Sequence, residues 1–381
     1  MVSLATSVGG IELDSCIYNA SGPRTNSVEM LVKIGESNSG AVLSKSATLL
    51  KQTGNPMPRF VKEVGLGEDK CHGSMNSEGL PNMGIDYYIA EEHVLRIREA
   101  SAYRKPYFVS LSGLSLNDNL EMLNRACLVD GVEAIELNLA CPNVPGKPVI
   151  AYDFDQMDDV LAAVTASKVF RKSGKKLGVK LAPYFDMPHF KRAAEIVNSY
   201  KKFISFVVCI NTIGNALIVD VENEMSAIAP KGGYGGLGGG FVKHTALANV
   251  RKLYELVDSS IDIIGVGGVS SGSDAFELIL CGAKAVQIGT KHWTEGAACF
   301  ERVGNELKTL MIEKGYSTIE EFRGKLKPFA RAGRKKSRKS TTAVGASGPA
   351  AGGNYAFPVL AYAILVTLYL AAKELGMLTK V

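Results

Sequence analysis

"IDIIGVGGVSSGSDAFELILCGAKAVQIGT", residues 261–290, contains one full repeat of the pattern that decides the fold. Two short apolar runs rich in Val and Ile flank a stretch of helical period, and each run ends near a glycine. Continuous apolar strands that alternate with helices are typical of a parallel sheet covered on both faces. The segment therefore predicts a strand over 261–268, a helix over 273–281 and another strand over 283–290.

The same alternation extends back toward the N-terminus. Helical periods at 118–129, 156–173, 187–201 and 244–257 separate further apolar runs. Eight strand–helix units over roughly 290 residues predict a (β/α)₈ barrel of the TIM type, and a doubly wound open sheet is the alternative. The eight predicted strands span 14–21, 40–46, 106–113, 134–140, 176–182, 204–211, 261–268 and 283–290.

Two connections are too long for plain turns. One spans 51–86 after the second predicted strand, and the other spans 212–243 after the sixth. Both follow the carboxyl ends of strands, which is the end of a barrel where active sites are built. We therefore expect both insertions to border the functional site.

Composition and charge divide the chain into a barrel and a different C-terminal part. The net charge is +5, but much of the surplus lies in the basic run 331–339, and no zinc-finger spacing or basic–aromatic groove suggests nucleic-acid binding. We predict a barrel domain over 1–320, a basic then flexible linker over 321–354, and a hydrophobic segment over 355–381.

The C-terminal stretch 355–372 has no charged side chain and, at eighteen residues, reaches the lower limit for spanning a bilayer. Two interpretations stay open: a helix that packs on the protein or a partner subunit, and a tail anchor with the basic run 331–339 on the cytosolic side. The N-terminus has neither a basic n-region nor a long apolar stretch, so we predict a cytoplasmic catalytic domain without a signal peptide.

Cys141 differs from the other cysteines of the chain. Seven cysteines and no CxxC motif are typical of a reducing compartment, and most of the seven lie inside apolar runs as small buried side chains. Cys141 instead ends an apolar run between Asn138, Pro142 and Asn143. A free thiol has a pKa of about 8.5 and acts as a base where positive charge lowers that value. The alternative is that Cys141 is a packing residue at a strand end.

Glycines and a hydroxyl end the last two predicted strands. Gly267 and Gly268 precede a helix, and Gly289 and Thr290 follow the neighbouring strand. Glycines let backbone N–H groups approach an anion closely, and adjacent strand ends of this kind form the phosphate site of many barrels. A tight turn alone would explain either of these two strand ends, but their position on neighbouring strands favours a phosphate-binding site.

Amides and lysines stand at the other strand ends, where burial without partners would be costly. Their convergence on one mouth predicts a planar ligand with many donors and acceptors, such as a flavin or a pyrimidine. Neither a His–Asp–Ser set nor a carboxylate pair stands there, so we predict no metal site and no hydrolytic triad. The polar set comprises Ser44, Lys45, Ser46, Asn76, Asn138, Cys141, Asn143, Lys180, Asn211 and Thr212.

Long motifs of the chain closely resemble the class 1A dihydroorotate dehydrogenases from about residue 5 to about residue 315. The resemblance implies an FMN barrel, active as a homodimer, that oxidises (S)-dihydroorotate to orotate in pyrimidine synthesis and passes the electrons to fumarate. Delivery to a membrane quinone or to a class 1B partner chain remains the alternative, and a tethered scaffold with an inactive barrel is a third. The motifs are "NASG", "SKS", "NSEGLPN", "ELNLACPNVPGKP", "VKLAPYFD", "INTIGN", "GGLGGGFVKHTALANV" and "GVGGVSSGSDAFELILCGA".

The resemblance also implies residue roles. Cys141 corresponds to the base that removes a proton from carbon 5 while hydride leaves carbon 6 for the flavin. Glu78 stands where the family has Met, and Thr212 where it has Ser. The implied substrate residues are Lys45, Asn76, Gly79, Leu80, Asn138, Asn143, Asn211 and Thr212. The implied cofactor residues are Ala20, Ser21, Lys45, Ser46, Asn138, Lys180, Gly238, Gly239, Gly267, Gly268, Gly289 and Thr290.

Overall fold

The computed structural model describes residues 2–64, 73–141, 146 and 148–329. Backbone contacts divide the chain into Met1–Lys327 and Pro328–Val381, and only Pro328 and Phe329 of the second unit are described. Residues 330–354 of the predicted linker and the hydrophobic stretch 355–372 lie outside the described residues. Residues 321–329, predicted as the start of the linker, are described, and the buried Phe322 ring stacks on Phe276 at 4.4 Å. None of the helices within the described ranges is long and apolar enough to cross a membrane.

The described residues of the first unit form strands and helices in regular alternation. The strands are β1 (Thr6–Val8), β2 (Ile11–Leu13), β3 (Ile17–Asn19), β4 (Val42–Leu43), β5 (Phe60–Val64), β6 (Gly73–Asn76), β7 (Tyr107–Leu111), β8 (Val132–Asn138), β9 (Lys176–Lys180), β10 (Ile204–Cys209), β11 (Ile213–Leu217), β12 (Val219–Asp220), β13 (Met225–Ser226), β14 (Tyr234–Gly239), β15 (Asp262–Val266) and β16 (Ala285–Ile288). The helices are α1 (Val28–Glu36), α2 (Ile85–Ile89), α3 (Glu91–Glu99), α4 (Leu116–Cys127), α5 (Phe154–Ala166), α6 (Lys168–Ser173), α7 (Met187–Ser199), α8 (Lys243–Leu256), α9 (Gly272–Cys281), α10 (Thr290–Glu295) and α11 (Ala298–Lys314).

The eight predicted barrel strands all form, and they lie in one parallel sheet. Its order is β3-β16-β15-β10-β9-β8-β7-β4, so the first strand pairs with the last one, with Ile17 opposite Val286. Around the sheet the strands follow chain order without the reversal that defines a doubly wound fold. The (β/α)₈ prediction is therefore confirmed, and the open-sheet alternative is wrong.

The side chain of Asn19 bridges the remaining gap between β3 and β4. Its Nδ2 donates to the carbonyl of Leu43 at 2.7 Å, and its Oδ1 accepts from the Leu43 N–H at 2.9 Å. The N–H of Gly40 adds a backbone bond to the Ile17 carbonyl at 2.8 Å. One carboxamide thus takes the place of a strand-to-strand pair and satisfies the buried backbone groups at the seam.

Aromatic rings fill the barrel interior beneath the site. Phe108 and Phe206 stack with centroids 6.2 Å apart, and Tyr18 meets Phe108 edge-on at 6.0 Å. Gly178 makes room for them, because a Cβ there would lie 1.9 Å from the Phe206 ring. The β1–β2 hairpin packs against the same cluster and donates from the N–H of Gly9 to Asp262, at the start of β15, so it covers the amino-terminal end of the barrel.

The two long connections are not irregular loops. They supply β5 and β6 from the first connection and β11 and β14 from the second, joined in one antiparallel sheet of order β11-β14-β6-β5. Asn76 lies opposite Gly236 in this sheet. The sheet carries Asn76 and the glycines of β14 to the carboxyl ends of the barrel strands.

The prediction of one continuous helix over 156–173 is wrong. It divides into α5 and α6 at Ser167, whose ψ of 122° leaves the helical region and whose hydroxyl accepts from the Phe170 N–H. Ser is favoured at the N-cap of a helix, because its hydroxyl accepts from a backbone N–H of the first turn that has no carbonyl partner within the helix. The other helices predicted by period form within a few residues of the expected bounds.

Candidate active site

A cavity of about 790 Å³ lies at the carboxyl ends of the barrel strands, beside the added antiparallel sheet. This volume suits a nucleotide-sized cofactor together with a small ligand. Asn143 lies outside the described residues, and Ser44 is buried away from the cavity, where its hydroxyl accepts from the Ser110 N–H at 3.0 Å. The other predicted site residues line the cavity. They are Ala20, Ser21, Lys45, Ser46, Asn76, Gly79, Leu80, Asn138, Cys141, Lys180, Asn211, Thr212, Gly238, Gly239, Gly267, Gly268, Gly289 and Thr290.

Two of the amides form one connected network. Asn138, the last residue of β8, accepts at Oδ1 from Asn211 Nδ2 at 3.2 Å and from the Ala140 N–H at 3.1 Å. Its Nδ2 donates to the hydroxyl of Ser46 at 3.1 Å. Asn211 in turn accepts from the Thr212 N–H at 2.8 Å. These bonds fix the orientation of both amides before any ligand arrives, which is the usual requirement of a precise polar site.

A chain of hydroxyls supports the neighbouring wall. Ser46 Oγ lies 3.0 Å from the Ser21 hydroxyl and 2.8 Å from the Ser110 hydroxyl. The backbone N–H of Ser46 also donates to Ser21 Oγ at 2.7 Å. Because Ser21 follows β3 and Ser46 follows β4, these contacts hold the two strand ends together above the Asn19 bridge.

Lys45 forms an ion pair at the mouth of the cavity. Its Nζ lies 3.2 Å from Glu78 Oε2, and the two side chains are 9% and 13% exposed. Lys45 follows β4, whereas Glu78 belongs to the segment after β6 that also supplies Gly79 and Leu80. The pair therefore joins a barrel strand to the added sheet.

A second lysine–glutamate pair lies deeper, at the floor of the cavity. Lys180 Nζ stands 3.8 Å from Glu136 Oε1, and the Glu136 side chain has no exposed surface. Gln287 Nε2 donates to Glu136 Oε2 at 2.7 Å and approaches the Tyr18 hydroxyl at 3.1 Å. Burial raises the pKa of Glu136, and the nearby Lys180 charge acts in the opposite direction.

Glu136 and Gln287 were not predicted as residues of the site. A signal was present, because Glu136 and Asn138 are two residues apart in β8 and so face the same side of the strand. Among the described residues, Glu136 Oε1 and Gln287 Oε1 are buried oxygens without a hydrogen-bond partner. Gln287 also lines the cavity, so its free oxygen is available to a ligand there.

The opposite end of the cavity is formed by glycines and hydroxyls. Gly267 and Gly268 have φ of 134° and 75°, and a Cβ on Gly268 would lie 2.5 Å from the Cβ of Lys243. Ser74 and Thr290 place their hydroxyl oxygens 3.0 Å apart beneath Gly238. Exposed backbone and hydroxyl donors without bulky side chains suit an anionic group such as a phosphate.

Cys141 follows β8 and borders this cavity as well as a smaller one of about 290 Å³. It is half-buried, whereas the other cysteines in the described ranges are buried, as predicted. Burial raises the pKa of the Cys16 thiol to about 12, which leaves it inert at neutral pH. Cys71 lies outside the described residues.

Several further side chains of the cavity wall were not predicted. Trp293 of α10 packs edge-on against Phe60 of β5 at 5.0 Å, and Lys62 of β5 also lines the cavity. The single Trp of the chain was a sequence signal for this wall. The described residues contain no cluster of three or more His, Cys, Asp or Glu side chains that would hold a metal ion.

Comparison with known proteins gives consistent matches. A family model described as dihydroorotate dehydrogenase matches residues 3–311. A protein of Streptococcus pneumoniae serotype 4, named probable dihydroorotate dehydrogenase A (fumarate), is 46% identical over 327 residues, 86% of this chain and 99% of that protein. A Streptococcus pyogenes serotype M3 protein with the corresponding putative name matches to the same extent.

A solved structure from Eimeria tenella, a dihydroorotate dehydrogenase in complex with ferulenol, superposes with a TM-score of 0.67. It is 21% identical and covers 84% of this chain and 88% of its own. At that identity the likeness shows the shared barrel fold and nothing further.

Proposed function

This chain belongs to the dihydroorotate dehydrogenase family, and on that premise we propose that it oxidises (S)-dihydroorotate to orotate in pyrimidine synthesis, with FMN as hydride acceptor and fumarate as final acceptor. The family is flavin-dependent. The names of the streptococcal relatives include fumarate, which supports that acceptor over a quinone or a class 1B-type partner chain.

One observation carries the proposal. The half-buried Cys141 thiol, the linked amides Asn138 and Asn211, and the Lys180 ammonium line a single cavity at the carboxyl ends of the barrel strands. A thiol base, fixed amides and a buried cation are the groups needed to remove a proton from a polar heterocycle that is held in one orientation.

The chain's residues also fit FMN. Gly267, Gly268, Gly289 and Thr290 would hold the phosphate, because they form the end of the cavity that is rich in backbone and hydroxyl donors. Lys180 would lie by the pyrimidine edge of the ring system, where a cation stabilises negative charge. The unpartnered Gln287 Oε1 offers an acceptor to a ring N–H. When bound, FMN supplies the acceptor for the hydride that leaves carbon 6.

Protein residues carry out the remaining steps. Asn138 and Asn211 orient the pyrimidine through their amide groups, together with Asn76 and Asn143 as the resemblance implies. Cys141 borders the cavity and, as the thiolate, takes the proton from carbon 5. The polar walls replace water around the reacting atoms, so that no reorganisation is needed during transfer.

The Cys141→Ala variant tests the chemical role of this thiol. A general base contributes roughly 10²- to 10⁴-fold, so we expect a loss of that size in the anaerobic rate of flavin reduction by dihydroorotate. Bound FMN, measured by absorbance after extraction, should stay near stoichiometric. Cys281→Ala, which removes a buried thiol from α9, is the matched control and should keep turnover. Full turnover in the Cys141 variant would remove Cys141 from the mechanism.

The acceptor is tested on the full-length protein. After anaerobic reduction by dihydroorotate, added fumarate should restore the oxidised flavin absorbance, and a soluble quinone should do so more slowly. Faster recovery with quinone would contradict fumarate as the acceptor. The expected homodimer and the cytoplasmic location stay predictions, as does the role of the C-terminal hydrophobic segment.

A further inference from the structure

We propose that Glu78 is a specificity-determining residue of the substrate site, whose carboxylate occupies the Lys45 ammonium and competes with anionic ligands for it. This inference rests on the proposed function, because it concerns the affinity of that site for orotate and dihydroorotate. It predicts that the wild-type site binds these anions more weakly than its other residues would allow.

The contact itself is direct. Lys45 Nζ and Glu78 Oε2 are 3.2 Å apart, within hydrogen-bonding distance, and both side chains line the main cavity. At 9% and 13% exposure the pair is screened less by water and salt than a surface ion pair. A carboxylate ligand therefore meets a lysine whose charge is already neutralised, with a second carboxylate beside it.

The backbone around Glu78 is fixed, so the carboxylate does not leave by a loop movement alone. The Glu78 carbonyl accepts from the Asn55 N–H at 2.7 Å, and the preceding Ser77 donates to the Arg59 carbonyl at 2.7 Å. Gly79 follows at a φ of 69°, and a Cβ there would lie 2.4 Å from the Asn55 side chain. Exchange between Glu78 and a ligand thus takes place by side-chain rotation.

Within the part of the chain that the structure describes, Lys45 pairs with Glu78 and with no other carboxylate, and Glu78 pairs with no other cation. The Lys45 backbone is held by a bond from its N–H to the Thr25 carbonyl at 3.1 Å. The ammonium is consequently shared between one protein carboxylate and any ligand carboxylate that enters the cavity.

Glu78→Gln tests the charge with little change of shape. Orotate binding to the FMN-loaded variant, followed by the shift in flavin absorbance, should tighten by about tenfold, the effect of about 1.4 kcal/mol. The KM for dihydroorotate should fall in parallel, while kcat changes much less because the ion pair acts on binding. Glu78→Met also removes the hydrogen bond to Lys45, and it should bind orotate more tightly than the wild type, as Glu78→Gln does.

Two controls separate charge competition from general effects. Methyl orotate, the uncharged ester, should bind the wild type and Glu78→Gln with similar affinity. Glu63→Gln removes an exposed carboxylate from the wall of the same cavity and should change orotate affinity by less than about twofold, because water and salt screen it.

The outcomes are distinguishable. Unchanged or weaker orotate binding in both Glu78 variants, with wild-type protein that turns over dihydroorotate, would overturn the inference, and so would equal tightening of the ester. Wild-type protein that neither binds orotate nor is reduced by dihydroorotate would instead overturn the proposed function.

Discussion

Two lysine–glutamate pairs border one cavity, and they differ in contact distance and in the exposure of the glutamate. Lys45 and Glu78 form a hydrogen-bonded contact of 3.2 Å at the mouth, with both side chains slightly exposed. Lys180 and Glu136 stand 3.8 Å apart at the floor, where Glu136 has no exposed surface. The shorter contact is therefore in the more accessible place.

The difference indicates that the floor pair stays formed when a ligand binds, whereas the mouth pair can be replaced by contacts with a ligand. The other oxygen of Glu136 accepts from Gln287 at 2.7 Å, and the side chain has no exposed surface, so Lys180 and Gln287 are the groups that stabilise its charge. Glu78 and Lys45 both open onto the cavity, where solvent or a ligand carboxylate can replace either partner. Distance alone ranks the mouth pair first for stability, whereas burial of the glutamate ranks the floor pair first.

Breaking the floor pair gives the largest expected effect. Lys180→Met leaves Glu136 buried without its cation, and removal of one partner of a buried pair lowers the free energy of unfolding by about 3–5 kcal/mol. Urea unfolding of the FMN-loaded protein measures this loss. Adding Glu136→Gln to the same chain should recover most of it, since the uncompensated charge is then absent. No recovery in the double variant would show that packing, and not charge, dominates at the floor.

The pH dependence of stability sharpens the same contrast. Burial raises the pKa of Glu136 above its usual 4.5, so the folded state holds this proton more tightly than the unfolded state. The resulting stability is fully present below pH 4.5 and is lost as the pH rises through the raised folded pKa. Glu136→Gln lacks this loss and should gain stability relative to the wild type as the pH rises from 4.5 to 8.

The exposed Glu29 of α1 provides the matched control for this pH series. Hydrogen bonds from its backbone and from Ser27 lower the pKa of Glu29, so its stabilisation is present above 4.5 and lost on acidification. Glu29→Gln should therefore lose stability relative to the wild type as the pH rises, with the opposite slope. If the free energy of unfolding of Glu136→Gln changed with pH in parallel with that of the wild type, burial would not raise the pKa of Glu136.

The sequence predicted the parts of the site whose signal is local. Apolar runs located all eight barrel strands, and Lys180 stood out as a cation at the end of such a run. Asn138 and Asn211 were found in the same way, because amides at the ends of apolar strands require partners.

Contacts between distant segments could not be predicted. Gln287 and Glu136 are 151 residues apart, and their contact depends on barrel closure, which no local pattern reports. The glycine-rich strand β14 has no apolar alternation, so the antiparallel sheet that carries Asn76 appeared only as long connections. Likewise, Glu78 was visible as an unusual residue, but its pairing with Lys45 was not.

The mouth pair gives the smallest expected change in stability. Glu78→Met leaves Lys45 unpaired, but the ammonium still borders the cavity, where water can solvate it, so the free energy of unfolding should fall by less than in Lys180→Met. Urea unfolding of FMN-loaded Glu78→Met beside Lys180→Met makes the comparison within one protein. A loss as large as that of Lys180→Met would mean that the mouth pair is also permanent, in which case a ligand could not displace Glu78. If a ligand can displace Glu78, Glu78→Met should show a small loss in the free energy of unfolding and tighter orotate binding.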